Sequence, residues 1–309
     1  MNVAVVDIGS NSTRLLIAEM DGDAITELVR HSNVTRLGAG VDREGRLADD
    51  AMQRVYDVLD GYREELEDHQ CESAVAVLTS AVRDSANGEQ FAAEIHERYS
   101  IEPHILSGDE EAQLTYLGAT SERNPMDRTP TLVLDIGGGS TEMVIGEGRE
   151  VRFHVSTQAG VVRQTERHLA DDPPTARQVD ALIADVAQII AGAVPQDERE
   201  HISQGIAVAG TATSLAAIAQ SLEPYDPDRV EGFRVTRAEC ERILDRLSAM
   251  SLTQRRQVAG LHPDRAPTII AGVLIFREVL RLFDLPEIEV SEHDILRGAA
   301  RKLTRRSNK

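Results

Sequence analysis

Residues 7–17 read Asp-Ile-Gly-Ser-Asn-Ser-Thr-Arg-Leu-Leu-Ile, and residues 135–145 read Asp-Ile-Gly-Gly-Gly-Ser-Thr-Glu-Met-Val-Ile. At this offset of 128, six of the eleven positions are identical and the other apolar ones are matched in kind. Each copy follows an apolar run (residues 3–6 and 132–134) and leads into another apolar segment. Apolar runs on both sides of a tip built from Gly, Ser, Asn and Thr predict strand, tight turn, strand. A hairpin that recurs about 130 residues later predicts two related domains, each opening with the same device.

Outward from the hairpins the pattern is mixed α/β. The first half predicts a third strand over 24–30, a helix over 49–66, a buried strand over 74–78, a helix over 89–99, a short strand over 104–106 and a helix over 109–120. Two prolines among polar residues mark 121–130 as a crossover. The second half repeats the plan, with the hairpin at 131–146, a third strand at 151–156, a helix at 175–194 and a strand at 206–209. Helices over 211–221, 237–250 and 267–283, a strand over 287–290 and a basic helix over about 295–304 complete it. The expected division is an N-terminal domain at 1–124 and a C-terminal domain at 125–309. The last helix, about 295–309, is a candidate to pack back on the first domain.

The length of 309 residues suits about two domains of ~150 residues. A composition 41% hydrophobic and 28% charged is that of a folded, soluble chain. The 33 Lys+Arg against 52 Asp+Glu give a net charge of −19, which disfavours nucleic acid and anionic membranes as partners. With no Trp, five Tyr and five Phe, there is little to stack bases on. The charge is unevenly placed: residues 1–250 carry −23 and residues 251–309 carry +4. Lys302 and Lys309 are the only lysines, so a Walker-A phosphate site and a Schiff-base lysine are excluded from the body of the chain. Any cation touching substrate there is an arginine. Cys71 and Cys240 have no metal-ligand spacing and read as reduced thiols. Asp7 interrupts the first apolar run, and the longest uncharged apolar stretch, 266–276, is far short of the ~18–20 residues of a membrane span. A cytoplasmic protein is expected.

The hairpin tips suggest the chemistry. Gly, Ser and Thr expose backbone N–H groups and hydroxyls with little bulk, so oxyanions can approach closely. An Asp ending the preceding strand is placed to hold a divalent cation on the same phosphate. A third element, Ala-Gly-Thr-Ala-Thr at 209–213, follows a strand and opens a helix whose positive end suits an anion. The ordinary alternatives are a flexible hairpin turn and a Thr-capped helix start.

The chain is similar to the exopolyphosphatase/guanosine pentaphosphate phosphohydrolase (Ppx/GppA) family through a series of motifs in the family's order. They are Asp-Ile-Gly-Ser-Asn-Ser at 7–12, Thr-Ser-Ala-Val-Arg at 79–83, Ser-Gly-Asp-Glu-Glu-Ala at 107–112, Asp-Ile-Gly-Gly-Gly-Ser-Thr-Glu at 135–142 and Gly-Thr-Ala-Thr at 210–213. The match continues through Arg265-Ala266 and Val290-Ser291-Glu292 to Arg297-Gly298. The resemblance implies α/β architecture: two actin-like ATPase (ribonuclease H-like) domains with a cleft between them, in the short two-domain form. Pro267 departs from the pattern, which often has Asp there. His293 lies in a loop of variable composition and is left out of the site.

The resemblance also implies residue roles. Glu111 matches the catalytic carboxylate that activates water, although Ser107-x-x-Glu110 also reads as a capping box that favours acids in the first helical turn. Asp135 and Glu142 match acidic residues that hold Mg²⁺ against substrate oxygens, and Asp7 is a further candidate ligand. Mn²⁺ is the alternative ion, and a monovalent cation is left open. Ser10, Asn11, Ser12, Arg14, Arg83, Gly137, Gly138, Gly139, Ser140, Thr141, Gly210 and Thr211 are the candidate phosphate-binding residues. Arginine suits bidentate phosphate contact. The first repeat has Arg14 where the second has Glu142, so one hairpin presents a cation and the other an anion.

The resulting expectation is an exopolyphosphatase that releases terminal orthophosphate from inorganic polyphosphate. The nearest alternative is hydrolysis of the 5′ terminal phosphate of guanosine pentaphosphate. An actin-like phosphotransferase and a non-catalytic polyphosphate sensor are more distant ones. A homodimer is expected from the resemblance, and the charge and apolar patterning point to no nucleic-acid or membrane partner. The basic end of the chain, including Arg305, Arg306 and Lys309, is a candidate guide for the polyphosphate tail.

Overall fold

The near-continuous apolar run at residues 3–6 is buried on both faces of a sheet, and the reason is visible in the alternation of its side chains. Val3 and Val5 enter one core cluster, with Leu16, Ala18, Val75 and Val77. Ala4, Val6 and Ile8 enter another, with Leu15, Ile17, Ala76 and Leu78. The computed structural model describes residues 1–22, 24–124 and 126–303. The basic residues Arg305, Arg306 and Lys309 lie outside the described residues.

The chain divides into two compact units, Met1–Ser121 with His293–Lys309, and Glu122–Glu292. In the first unit, β1 (Asn2–Ile8), β2 (Ser12–Asp21) and β3 (Ala24–Val34) form an antiparallel meander. β4 (Ser73–Leu78) and β5 (Glu102–Ile105) continue it in parallel, giving the order β3-β2-β1-β4-β5. The register pairs Ile8 with Leu78 and Leu78 with Ile105, so the carboxyl ends of β1, β4 and β5 finish level. The helices Asp49–Asp68 and Gly88–Tyr99 contribute Val55, Leu59, Phe91 and Ile95 to one face. The helix Gly108–Ala119 and the final helix Ile295–Leu303 supply Leu114, Ile295, Leu296 and Ala299 to the other. Those two helices touch backbone to backbone, because a Cβ on Gly298 would lie 1.9 Å from Leu114 O and one on Gly118 1.8 Å from Asp294 O.

In the second unit, β6 (Thr131–Ile136), β7 (Thr141–Glu147) and β8 (Glu150–Thr157) repeat the meander. β9 (Gln204–Val208) and β11 (Glu287–Val290) continue it in parallel, and β10 (Arg234–Thr236) adds an antiparallel edge, for the order β10-β11-β9-β6-β7-β8. The duplication read in the hairpins therefore extends to the sheets. The helices Ala176–Ala193, Ala209–Gln220, Arg237–Ser248 and Ile269–Leu282 bury their apolar faces in the unit's core.

Beyond several one-turn helices such as Ser80–Arg83, the structure adds a strand and a longer helix to those read from sequence. β10 has only three residues, too few for an alternation. The helix Val161–His168 buries only Val161 and Gln164, so it lacks the broad apolar stripe that announces a helix. β3 runs to Val34, beyond the expected 24–30, because His31, Ser32 and Asn33 pair with β2 although they are polar.

Candidate active site

In the first unit the candidate residues gather beyond the carboxyl ends of β1, β4 and β5, where parallel strands open onto turns and helix starts. The hairpin closes by Gly9 N–H donating to Ser12 O at 3.0 Å. Ser10 O accepts from Gly38 N at 2.8 Å, and Asn11 O accepts from Thr35 N at 3.0 Å and Arg36 N at 2.9 Å. Gly38 must be glycine for this approach, since a Cβ there would meet Ser10 Cβ at 2.9 Å. Ser10 Oγ is 3.0 Å from Ser80 Oγ, which ties the tip to the short helix Ser80–Arg83.

Glu110 and Glu111 have separate duties. Ser107 caps the helix Gly108–Ala119: Glu110 N–H donates to Ser107 Oγ at 3.3 Å, and Ser107 N–H donates to Glu110 Oε2 at 3.1 Å. Glu111 takes no part in that box. Its Oε2 accepts from Arg83 Nη1 at 3.0 Å, and the same nitrogen donates to Leu106 O at 2.8 Å. A charge-assisted bond of this kind orients the carboxylate. The side chain retains 16% exposure, enough for water to reach it.

Asp7 and Arg14 stand directly opposite each other in the β1/β2 register and pair, with Arg14 Nε donating to Asp7 Oδ2 at 2.8 Å. Arg14 also pairs with Asp294, and Arg30 lies 3.7 Å from the same carboxylate. Asp7 is almost fully buried; desolvation pushes its carboxyl above the usual range, against the opposing pull of Arg14. Asp7, expected as a further metal ligand, and Arg14, expected as a substrate cation, are thus placed as partners of one another. His293, set aside in the sequence reading, lies 3.0 Å from Arg297.

In the second unit the hairpin closes in the same way, Gly137 N–H donating to Ser140 O at 2.9 Å. Its tip carbonyls all turn toward the start of the helix Val161–His168. Gly137 O accepts from Val161 N at 2.9 Å, Gly138 O from Val162 N at 2.8 Å, and Gly139 O from Arg163 Nε at 3.1 Å. In a trans peptide the N–H points opposite to the preceding C=O. The N–H groups of Gly138, Gly139 and Ser140 therefore point away from that helix, and among the described residues no backbone carbonyl outside the strand ladders accepts from them. Outward N–H groups in succession form an anion-binding concavity. Gly160 makes the clamp possible, because a Cβ there would lie 2.2 Å from Gly139 C.

Asp135 and Glu142 face each other across β6 and β7, and Glu142 Oε1 accepts from Ser156 Oγ at 2.8 Å. Like charges at one cross-strand position are unfavourable, so a cation suits this place. Mg²⁺ is commonly held by one or two carboxylates with substrate phosphates, and this donor set fits that description. No group of three or more His, Cys, Asp or Glu with metal-ligand geometry occurs among the described residues.

Thr141 and Thr211 turn their hydroxyls inward: Thr141 Oγ1 donates to Ala159 O at 2.7 Å and Thr211 Oγ1 to Ile136 O at 2.9 Å. Both side chains brace the turns from within. Gly210 accepts Arg265 Nη1 on its carbonyl at 2.7 Å, and a Cβ there would collide with the guanidinium at 2.6 Å. Ala209 enters this turn at φ +60°, a left-handed conformation that is strained for alanine and typical of tightly specified turns.

Gly38, Gly160, Arg163 and Arg265 were not among the residues assigned from sequence. A signal existed for the two glycines: in both repeats a glycine follows the third strand. The family model of the Ppx/GppA phosphatases matches residues 16–299.

The chain belongs to the Ppx/GppA phosphatase family. Membership makes it a phosphoric anhydride hydrolase. Among Ppx/GppA relatives, exopolyphosphatase 2 of Mycobacterium tuberculosis is 36% identical over 314 aligned residues, covering 97% of this chain and 98% of that protein. The guanosine-5′-triphosphate,3′-diphosphate pyrophosphatase of Vibrio atlanticus is 27% identical, covering 96% of this chain and 58% of that protein. The crystal structure of the Aquifex aeolicus Ppx/GppA family member aligns over 100% of this chain and 99% of its own, with a TM-score of 0.85 at 28% identity. No helix among the described residues is long and apolar enough to cross a membrane.

Proposed function

We propose that this Ppx/GppA protein is an exopolyphosphatase, releasing terminal orthophosphate from inorganic polyphosphate by attack of water. The observation that carries the reading is Glu111. It is a half-shielded carboxylate relieved of capping by Glu110 and oriented by Arg83, at the strand ends where the first hairpin tip also lies. Such a group accepts the proton of an attacking water as the bond to phosphorus forms. The end-to-end likeness to a relative named exopolyphosphatase favours polyphosphate as the substrate.

The remaining residues take roles in binding and charge neutralisation, which dominate phosphoryl transfer. The outward N–H groups of Gly138, Gly139 and Ser140 receive phosphate oxygens. Ser10 and Arg83 do the same in the first unit. Asp135 and Glu142 would hold Mg²⁺, or Mn²⁺ in its place. The bound ion would supply Lewis-acid neutralisation of phosphate charge. The proposal includes a cytoplasmic homodimer with neither nucleic acid nor membrane as partner.

The second reading, removal of the 5′ terminal phosphate of guanosine pentaphosphate, is supported by the relative named for that nucleotide. Phosphate release measured side by side on tripolyphosphate, long-chain polyphosphate and the nucleotide tests both. Turnover of polyphosphate at the higher kcat/KM is the expected result. A preference for the nucleotide replaces the first reading with the second, and release from none of the three ends both.

A further inference from the structure

The equivalent carbonyls of the two hairpins are held by different chemistry. In the first repeat, Asn11 O accepts two backbone N–H groups, from Thr35 and Arg36. Gly139, which stands 128 residues later at the matching position, gives its carbonyl to the Arg163 side chain at 3.1 Å. Its neighbours Gly137 and Gly138 keep backbone donors, from Val161 and Val162. The orientation of the Gly139–Ser140 peptide thus depends on a side chain, where its counterpart depends on main chain.

The plane of that peptide turns through ψ of Gly139 and φ of Ser140, and the glycine on its amino side leaves ψ there less restricted than any other residue would. One orientation presents Ser140 N–H to the tip. The reverse presents Gly139 O, which repels an anion. A guanidinium on Gly139 O selects the first, because the carbonyl and the following N–H are held antiparallel.

We infer that Arg163 is a positioning residue for the phosphatase reaction, acting through the Gly139–Ser140 peptide to aim Ser140 N–H at a phosphate oxygen. This rests on the reading of the second hairpin as a phosphate cradle. Arg163 touches the loop from behind and is assigned no contact with substrate. Its guanidinium also suits the task better than lysine would, since the planar Nε–H is fixed relative to the stem.

The test uses the full chain with Arg163→Met, which keeps the stem and removes the donor, and Arg163→Gln, which is polar but too short to reach Gly139 O. Tripolyphosphate is the probe. Hydrolysis is measured with Mg²⁺, thermal melting gives the folded fraction, and the amide shifts of Gly138 and Ser140 are followed by NMR as tripolyphosphate is added in a Glu111→Gln background. A mis-aimed donor should lower kcat about 10- to 100-fold, short of the ~10²–10³ seen when an anion-hole donor is removed outright. KM should change less than about 3-fold, as expected when the lost interaction belongs to the transition state. The Ser140 amide should lose its response to tripolyphosphate while Gly138 keeps its own.

A kcat within about 2-fold of wild type in either folded variant, with the Ser140 response intact, overturns the inference. So does a loss of activity that merely tracks the loss of folded protein, with Ser140 still responding in the folded fraction; Arg163 would then be a staple. If Arg163→Met does not fold, Arg163→Gln carries the same readouts. A wild-type protein that neither binds nor hydrolyses tripolyphosphate overturns the phosphatase reading itself, an outcome distinct from an unchanged Arg163 variant beside an active wild type.

Discussion

Asp135 faces Glu142 directly across the β6/β7 ladder, at the register position where the first hairpin sets Asp7 against Arg14. The duplicated hairpin has been given opposite electrostatics by one exchange, arginine for glutamate. An Asp–Arg pair at that position holds its own strands together, whereas two carboxylates repel and attract a cation.

Glu142→Gln removes the repulsion and preserves an acceptor for Ser156. In metal-free buffer the variant should be more stable by ~0.2–1 kcal/mol, the usual range for one cross-strand pair. Its Mg²⁺-dependent rate should fall at least ~10²-fold, in line with the several kcal/mol that a bound metal contributes. Melting with and without Mg²⁺, paired with phosphate release, checks both signs; a variant no more stable and fully active would contradict the assignment.

Neighbouring acids on one helix should respond in opposite ways. Glu111→Gln keeps the bond from Arg83 and loses the base, so the rate should drop ~10²–10⁴-fold with the melting temperature nearly unchanged. Glu110→Ala breaks the capping box, lowering stability by about 1 kcal/mol while folded protein stays active. Urea unfolding and initial rates on the two variants separate capping from catalysis.

Glycines that look alike in sequence should differ when replaced. Gly61 sits inside the helix Asp49–Asp68 with nothing near a Cβ, so Gly61→Ala should stabilise by ~0.5–1 kcal/mol. Gly298→Ala drives a methyl to 1.9 Å from Leu114 O and should destabilise by ~1–3 kcal/mol or more despite the better helix propensity. Denaturant midpoints of the pair decide it.

Stability should erode in alkali. Burial pushes the phenols of Tyr62 and Tyr99 up to about 12, and the Cys240 thiol to about 12. In the unfolded chain a phenol ionises near ~10 and a thiol near ~8.5. Between those values and 12 the folded state retains protons that the unfolded state has lost, so stability falls as pH rises. Each group contributes a slope approaching ~1.4 kcal/mol per pH unit in its window. Urea midpoints from pH 8 to 11 should decline, and Tyr62→Phe should decline less steeply between pH 10 and 11. An equal slope in that variant would place the effect elsewhere.

The sequence by itself determined whatever depends on neighbours along the chain. The repeat at 7–17 and 135–145 announced both hairpins, apolar periodicity announced the α/β sheets, and Ser107-x-x-Glu110 announced the cap that separates Glu110 from Glu111. These are short-range effects of sterics, capping and alternation, and they act the same way wherever the segment ends up. Tertiary structure decided which partners each tip carbonyl and each charge would have. Arg14 pairs with Asp294, 280 residues away; Gly38 and Gly160 support the tips from behind; and Arg163 holds the peptide before Ser140. Those choices arise only when the chain returns on itself, because a buried charge or carbonyl must find a partner among whatever the fold brings within reach.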